Sequence, residues 1–264
     1  MPRAKRRLGQ HFLSDPRLLA RIVDALQPGP EDTVLEIGPG PGGLTAMLAE
    51  RAGRLLAIEK DSSLVPSLRA RFPRVEIIEA DALEADWHEL TGPRFLVAGN
   101  IPYNITSPLI DKALEPPPPG RIVFLVQKEV AERVTADAGT GAYGALSVGV
   151  QAVARAERLF TVPAGAFAPR PKVDSAVLRL TPLPDPLIVP REQALFRRLV
   201  VGIFGFRRKQ LLRGLRELTG WEAARVSGVL ATAGLRGDVR PEVLSPGEFA
   251  GLLRALVDAG WTAR

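Results

Sequence analysis

From residue 33 onward the sequence alternates short apolar runs with stretches of helical spacing, and this alternation constrains the fold more than any other feature. Stretches such as 44–51 and 62–71 carry the helical spacing, and the apolar runs between them have the length of buried strands. This pattern predicts an α/β fold, in which helices cover both faces of a parallel sheet. Ligands of such sheets bind beyond the carboxyl ends of the strands, so chemical motifs are expected there. The predicted strands are 33–37, 54–58, 75–79, 95–98 and 122–126.

The pattern changes in the second half of the chain. Longer apolar runs over 143–181, broken by Pro163, Pro169 and Pro171, predict added antiparallel strands. Four further prolines between residues 182 and 190 predict a stiff linker. We therefore predict a domain boundary at residues 185 and 186, with a small all-helical domain after it. Its predicted helices are 194–204, 210–218, 221–233 and 246–259.

Charge is distributed unevenly along the chain. Residues 191–264 hold 13 Lys or Arg and 7 Asp or Glu, whereas residues 1–190 hold 22 of each. The net charge of +6 therefore belongs to the last quarter, apart from a local basic cluster within residues 3–7. A basic appendage on a neutral body favours a polyanionic partner held beside a separate chemical site. The alternative interpretation is a solvated face in an arginine-rich chain.

Several classes of function are disfavoured by what the chain lacks. It has no cysteine, which excludes disulfides and thiolate chemistry, and its two histidines, His11 and His88, are too scattered to suggest a metal site. No apolar run approaches the roughly 18 residues of a membrane helix. A polar stretch follows the opening Arg/Lys cluster where a signal peptide would turn apolar, so we expect a cytoplasmic protein without a cleaved leader.

A glycine-rich loop follows the first predicted strand and opens a helix. Gly38, Gly40 and Gly43 allow a sharp turn and let a ligand approach the backbone without meeting a Cβ atom. Glu59, at the end of the second strand, can accept hydrogen bonds from a ribose diol. The loop therefore predicts a nucleotide-like cofactor. The glycines also fit the dinucleotide spacing G-x-G-x-x-G, so a methyltransferase, a nicotinamide-dependent dehydrogenase and a purely structural turn all remain open.

Two further motifs follow the third and fourth strands. Asp81, which precedes Ala82, can accept a hydrogen bond from an adenine amino group or can cap a helix. Asn100, Pro102 and Tyr103 lie after the fourth strand. An Asn oxygen and a nearby carbonyl can accept both hydrogens of an adenine amine and stabilise the positive charge that develops during methylation. Proline stiffens that turn and tyrosine can stack on a base, so this motif predicts an amine methyltransferase rather than an ordinary turn.

Over nearly its whole length, the sequence resembles the KsgA-type ribosomal RNA adenine dimethyltransferases. The resemblance implies a Rossmann-like class I methyltransferase sheet with a small all-helical C-terminal domain. It also implies S-adenosyl-L-methionine as cofactor, S-adenosyl-L-homocysteine as product and no metal. The implied reaction is N6,N6-dimethylation of two adjacent adenosines near the 3′ end of 16S rRNA, within the immature 30S subunit. The matching segments are residues 9–13, 36–45, 100–108, 126–133, 167–175 and 206–211.

Carried over residue by residue, the resemblance also implies a set of functional side chains. One departure is His11, where the family commonly has Asn; its imidazole can still donate a hydrogen bond, so we keep it as a contact. The implied cofactor contacts are His11, Leu13, Gly38, Glu59, Asp81 and Asn100, and we predict Gly40 and Ala82 as further contacts. The predicted catalytic residues are Asn100, Pro102, Tyr103 and Phe167, where Tyr103 and Phe167 would stack on the target base. The predicted RNA-binding residues are the basic Arg6, Arg7, Arg207, Arg208 and Lys209.

We therefore expect residues 1–185 to form the S-adenosylmethionine-binding catalytic domain, with a basic N-terminal arm, and residues 186–264 to form a helical RNA-binding domain of a monomeric protein. Three alternatives stay open. The related erythromycin-resistance enzymes share the fold and methylate a 23S adenine. A nicotinamide-dependent oxidoreductase would leave the segment from Asn100 to Tyr103 unexplained. A third hypothesis is an assembly factor that binds immature subunits and whose methylation is incidental.

Overall fold

The structure is a computed structural model that describes residues 10–262. The chain divides into two compact units. The first comprises residues up to 131 together with 156–182, and the second comprises 132–155 and the residues from 183 onward. Residues 132–155 thus group with the C-terminal helices. The assignment of cofactor binding to one domain and RNA binding to the other stays a prediction.

Nine strands occur in the described part of the chain, and most of them belong to one sheet. A small separate ribbon pairs the first and eighth strands antiparallel, with Leu13 opposite Phe167. The other seven form the large sheet. The strands are β1 (Phe12–Leu13), β2 (Thr33–Ile37), β3 (Arg54–Glu59), β4 (Glu76–Glu79), β5 (Leu96–Asn100), β6 (Arg121–Gln127), β7 (Ala154–Val162), β8 (Phe167–Ala168) and β9 (Ser175–Pro182).

The large sheet has the order β4-β3-β2-β5-β6-β9-β7. Its strands β2 to β6 are parallel, and Ile37 at the end of β2 lies beside Ile58 of β3 and Gly99 of β5. Strand β9 runs antiparallel to β6. The chain order changes direction between β2 and β5, and parallel sheets bind ligands at such a switch point. The ends of β2, β3 and β5 are therefore the expected place for a site.

Helices on the first unit bury the apolar faces of this sheet. The longest begins after Asp15, whose side chain accepts a hydrogen bond from the Arg17 amide at 2.8 Å, as an N-cap does. Its buried residues Ile22, Val23 and Leu26 join the core cluster that includes Val34 and Val123 of the sheet. The helices are α1 (Pro16–Leu26), α2 (Gly43–Ala49), α3 (Val65–Arg71), α4 (Trp87–Thr91) and α5 (Thr106–Ala113). Helix α6 (Lys128–Val134) begins in the first unit and ends in the second.

The second unit consists of helices around its own apolar core. Leu199, Phe249 and Trp261 are buried there, and so is Tyr143, whose hydroxyl donates to the carbonyl of Leu244 at 2.8 Å. No helix among residues 10–262 is both long and apolar enough to cross a membrane. The helices are α7 (Ala145–Gln151), α8 (Gln193–Gly205), α9 (Leu211–Thr219), α10 (Ala223–Thr232) and α11 (Pro246–Asp258).

The structure confirms the five predicted parallel strands and the four C-terminal helices within a few residues at each end. The added antiparallel strand is confirmed for β9. The prediction of strands over all of 143–181 is wrong at residues 145–151, which form helix α7. The physical reason is local, because the Ser147 hydroxyl accepts a hydrogen bond from the Gly144 amide at 3.0 Å and caps a helical turn.

Candidate active site

A cavity opens beyond the carboxyl ends of the parallel strands in the first unit. All eight residues predicted to contact the cofactor line it, and Pro102 and Tyr103 line it as well. These residues come from β1, the glycine loop and the ends of β3, β4 and β5, so the sheet topology is what brings them together. Gln10, Glu36, Lys60 and Leu125 also line this cavity.

The glycine loop forms one wall of the cavity in a conformation that side chains disfavour. Gly38 has φ +68° and Gly40 has φ +56°, both in the left-handed region. A Cβ atom on Gly40 would also lie 3.0 Å from a ring carbon of Phe12. The Gly40 amide donates to Glu59 Oε2 at 3.0 Å, which ties the loop to the end of β3. The left-handed glycines shape the loop, and the Glu59 side chain fixes it to the sheet.

Glu59 is buried at the end of β3 and is fixed by backbone donors. Its Oε2 atom accepts from the Gly40 amide, and its Oε1 atom accepts from the Asp61 amide at 2.8 Å. Burial raises the pKa of Glu59 above its ordinary value, and these two backbone hydrogen bonds oppose that shift. Each carboxylate oxygen keeps a further lone pair, so Glu59 can still accept hydrogen bonds from a ligand in the cavity.

Asp81 lies on the rim of the cavity and is an ionised acceptor. Lys60 donates to its Oδ2 atom, and this hydrogen bond is the main reason that the pKa of Asp81 is lowered. Its Oδ1 atom accepts from the Leu83 amide at 3.0 Å, as in a capping turn. The structure therefore combines both interpretations of this residue, because Asp81 stabilises a local turn and also lines the cavity.

Asn100 ends β5 with its amide group in a defined orientation. Its Nδ2 atom donates to the carbonyl oxygen of His11 at 2.7 Å. Because the nitrogen is committed to that carbonyl, the opposite side of the amide presents Oδ1. Among residues 10–262 no donor is hydrogen-bonded to Oδ1. The structure thus leaves a half-buried acceptor in the lining of the cavity, at the place where the sequence predicts one.

Tyr103 is held by two neighbours. Its ring stacks on the imidazole of His11, with ring centroids 5.5 Å apart and planes inclined by 29°. Its hydroxyl is hydrogen-bonded to the hydroxyl of Ser175 at 2.7 Å, and Ser175 is fully buried. His11 is itself fixed, because its Nδ1 atom lies 2.8 Å from the carbonyl oxygen of Pro169. The β1–β8 ribbon therefore positions the aromatic wall of the cavity.

Sequence analysis missed one functional candidate, Glu36. Its side chain is 1% exposed, and its Oε2 atom has no hydrogen-bond partner within the described residues. Burial raises the pKa of Glu36 to about 8, so the carboxyl group holds a proton at neutral pH. The signal was present in the sequence, because Glu36 is the one charged residue inside the otherwise apolar run of β2 and directly precedes the glycine loop.

The structure does not bring every predicted residue to the cavity. Phe167 is 5% exposed and packs in the core of the first unit, so it lies among apolar side chains and is absent from the cavity lining. The predicted RNA-binding residues Arg207, Arg208 and Lys209 belong to the second unit. Arg6 and Arg7 lie outside the described residues.

The parallel sheet, the glycine loop after its first strand and the acidic residues after the next two strands define a class I methyltransferase of Rossmann-like fold. The model of one family, described as "Ribosomal RNA adenine dimethylase", matches residues 1–246. The chain belongs to that family, whose members are enzymes that dimethylate adenines of ribosomal RNA.

Individual relatives agree with this assignment over nearly the whole chain. The chain is 45% identical to a ribosomal RNA small subunit methyltransferase A of Geobacter metallireducens, covering 98% of this chain and 97% of the relative. It is 42% identical to the enzyme of that name from Acidithiobacillus ferrooxidans, with the same coverage. Both similarities therefore extend over both halves of the chain.

Two solved structures are similar in fold. A dimethyladenosine transferase from Plasmodium falciparum superimposes with a TM-score of 0.82 at 26% identity, covering 95% of this chain and 98% of that one. The 23S rRNA methyltransferase ErmE superimposes with a TM-score of 0.73 at 31% identity, covering 93% and 99%. The chain is thus similar both to enzymes named for the small ribosomal subunit and to an enzyme of 23S rRNA. The choice between these substrates needs a separate argument.

Proposed function

We propose that this protein uses S-adenosylmethionine to dimethylate N6 of two adjacent adenosines in a hairpin near the 3′ end of 16S rRNA. It acts in the cytoplasm, as a monomer, on the immature 30S subunit, and contributes to small-subunit biogenesis. The observation that carries the proposal is the amide of Asn100, whose nitrogen is bound to the His11 carbonyl and whose oxygen is left as an acceptor in the cavity.

The residues of the cavity fit S-adenosylmethionine. Gly38 and Gly40 line the cavity without a Cβ atom, which suits close approach of a ligand to the backbone. Glu59 and Asp81 provide acceptors for a ribose and an adenine amino group, and the buried carboxyl of Glu36 has capacity for a cationic group. When bound, this cofactor supplies an activated methyl group.

The chain's own residues then prepare the attacking amine. The target adenine is extruded from its hairpin and stacks on Tyr103. The Asn100 oxygen accepts a hydrogen bond from the adenine N6 and stabilises the positive charge that develops on that nitrogen. The methylated amine is acidic enough to lose its proton to water, so no dedicated general base is needed. Because one N–H remains after the first transfer, the pocket must accept a methyl group where a hydrogen was.

The higher sequence identity to enzymes named for the small subunit favours a small-subunit substrate over a 23S substrate. Enzymes named for the small subunit reach 42–45% identity over 98% of the chain, whereas ErmE reaches 31%. Segments 167–175 and 206–209 also follow the small-subunit type in sequence. A nicotinamide-dependent oxidoreductase gives no role to the acceptor oxygen of Asn100.

The proposed substrate can be tested with ribosomal particles that lack the modification. Purified 30S and 50S particles from cells deficient in the enzyme would be incubated with the protein and labelled S-adenosylmethionine, and the modified nucleosides identified by mass spectrometry. We expect N6,N6-dimethyladenosine at two adjacent positions of 16S rRNA. Methylation of 50S particles alone, or binding of NAD in place of S-adenosylhomocysteine in calorimetry, would refute the proposal.

The biogenesis role is separable from catalysis. Cells that lack the enzyme would receive either the wild-type protein or the slow Asn100→Ala variant; 30S assembly would be followed by sedimentation, and residual dimethylation of 16S rRNA by mass spectrometry. We expect the variant to restore more assembly than its residual methylation accounts for if subunit binding contributes independently of methylation. Assembly that only follows the residual methylation of a well-expressed variant would assign the whole role to methyl transfer.

Tyr103 and Ser175 provide a prediction about positioning. Tyr103→Ala should lower kcat/KM, with a loss of about 1–3 kcal/mol of transition-state stabilisation, because base stacking is lost. Tyr103→Phe and Ser175→Ala each remove one hydroxyl and thus only the hydrogen bond between the two side chains, at a cost of about 0.5–1.5 kcal/mol. Since both variants break the same hydrogen bond, the double variant should cost no more than either alone. Additive losses in steady-state kinetics would show that Ser175 does not act through Tyr103.

A further inference from the structure

The basic residues of the second unit differ in whether they are already paired. Arg207 donates to Glu242 at 2.7 Å and to the carbonyl of Gly141 at 2.9 Å. Lys209 forms an ion pair with Glu217 at 2.8 Å. Both side chains therefore have much of their hydrogen-bonding capacity committed within the protein. In the sequence, these two residues and Arg208 were the predicted RNA contacts of this unit.

A concave pocket, which Lys209 of this segment also lines, carries two arginines of a different kind. Arg213 and Arg216 line it from helix α9, and both are exposed with no ion-pair or hydrogen-bond partner for their side chains among the described residues. They are three residues apart, so they lie on the same face of the helix. The half-buried ring of Trp221 closes the pocket, and the guanidinium of Arg225 lies 3.8 Å above that ring.

The chemistry of the pocket selects for phosphate. Of its two carboxylates, Glu217 is paired with Lys209, so the open charges on its lining are the two guanidinium groups and Glu222. Guanidinium groups bind phosphate oxygens through paired, charge-assisted hydrogen bonds. Two of them on successive turns present a row of donors that suits neighbouring phosphates of one strand. The excess of positive charge in residues 191–264 complements a polyanion of this kind.

We propose that Arg213 and Arg216 bind the sugar–phosphate backbone of the substrate RNA in this pocket, beside the wall formed by Trp221. The proposal rests on the proposed function, because it assigns a contact of the same RNA. It places the main RNA-backbone contact of this unit on helix α9, in a pocket that Lys209 also lines, because two of the three cations in the segment 207–209 are internally paired.

The test compares two double variants of equal charge. R213Q/R216Q removes the pocket arginines, and R191Q/R240Q removes two exposed arginines elsewhere in the same unit. The probe is a labelled RNA hairpin with two adjacent adenosines in its loop, and the dissociation constant is measured over a range of salt concentrations. For R213Q/R216Q we expect binding roughly tenfold weaker or more. We also expect a salt slope smaller by about 1.4–1.8, because two phosphate contacts are lost.

R191Q/R240Q should stay near the wild type in both quantities, and calorimetry should show unchanged S-adenosylhomocysteine binding for both variants. Equal salt slopes for the two variants would overturn the inference and leave the pocket to another kind of partner, such as an acidic protein surface. That failure is distinct from failure of the proposed function, which would show as a wild-type protein that transfers no methyl group to 30S particles.

Discussion

Replacement of Asn100 by alanine should slow methyl transfer about 10²–10³-fold at saturating substrates, a loss of about 2.7–4 kcal/mol of transition-state stabilisation. The reason is that the Oδ1 atom is the acceptor for the attacking amine, and the hydrogen bond from Nδ2 to the His11 carbonyl fixes its direction. An alanine side chain has no polar atom with which to replace either interaction. The rate should be measured in single turnovers, so that product release does not mask the chemical step.

Asn104→Ala is the matched control for this variant. Asn104 lies four residues further along the chain, is exposed and also lines the cavity. The same substitution there should cost far less, because no role in preparing the amine is assigned to that side chain. Wild-type turnover in Asn100→Ala, or equal losses in the two variants, would remove Asn100 from the mechanism.

The second large effect concerns Glu36 and the dependence of stability on pH. Its pKa is raised to about 8 in the folded protein, against an ordinary value of 4.5, because burial penalises the charged form. Below pH 4.5 the group is protonated in both states and costs nothing. As the pH rises from about 4.5 to about 8, only the unfolded state releases this proton, so stability falls and then levels off.

Glu36→Gln should therefore gain stability over the wild type as the pH is raised. The gain between pH 5 and pH 9 should be about 3–5 kcal/mol. Denaturant unfolding of both proteins at several pH values would measure it. The pKa of Glu59 is also raised. Because the charge of Glu59 contributes to the raised pKa of Glu36, the difference between the two proteins reports the titration of Glu36 together with this coupling. A difference between the two proteins that does not change with pH would contradict the account.

Glu36 should also couple to ligand binding. A cationic group of the cofactor would favour the ionised carboxylate in the cavity, so affinity for S-adenosylmethionine should rise with pH up to about 8. Calorimetry at several pH values would show this trend for the wild type and its loss in Glu36→Gln. If both proteins bound with the same pH dependence, Glu36 would have no contact with the charged part of the ligand.

Much of the fold could be predicted from the sequence because each buried strand of a parallel sheet is a run of consecutive apolar residues. The strands around Val34, Ile58 and Val123 were evident as apolar runs, and the predicted contacts Gly38, Glu59, Asp81 and Asn100 followed from their positions at or after strand ends. His11 and Leu13 were predicted from the resemblance alone. Helix α7 was missed because it is short and apolar, and its capping depends on the contact between Ser147 and Gly144.

Long-range contacts explain what else the sequence did not reveal. The carbonyl of His11 orients Asn100 across 89 residues, and Ser175 meets Tyr103 across 72 residues. No local pattern records such pairs. Phe167 was predicted to stack on the target base, yet its ring is buried in the core of the first unit, where its strand pairs with β1. Which arginines are free likewise depended on ion pairs such as Arg207 with Glu242.

The most direct test of the central claim is a crystal structure of the protein with S-adenosylhomocysteine. We expect the ligand to lie beyond the ends of the parallel strands, with its ribose at Glu59 and its adenine near Asp81. The Asn100 oxygen should face the vacated methyl position. A ligand bound elsewhere, or an Asn100 oxygen turned onto local backbone and away from the cavity, would contradict it.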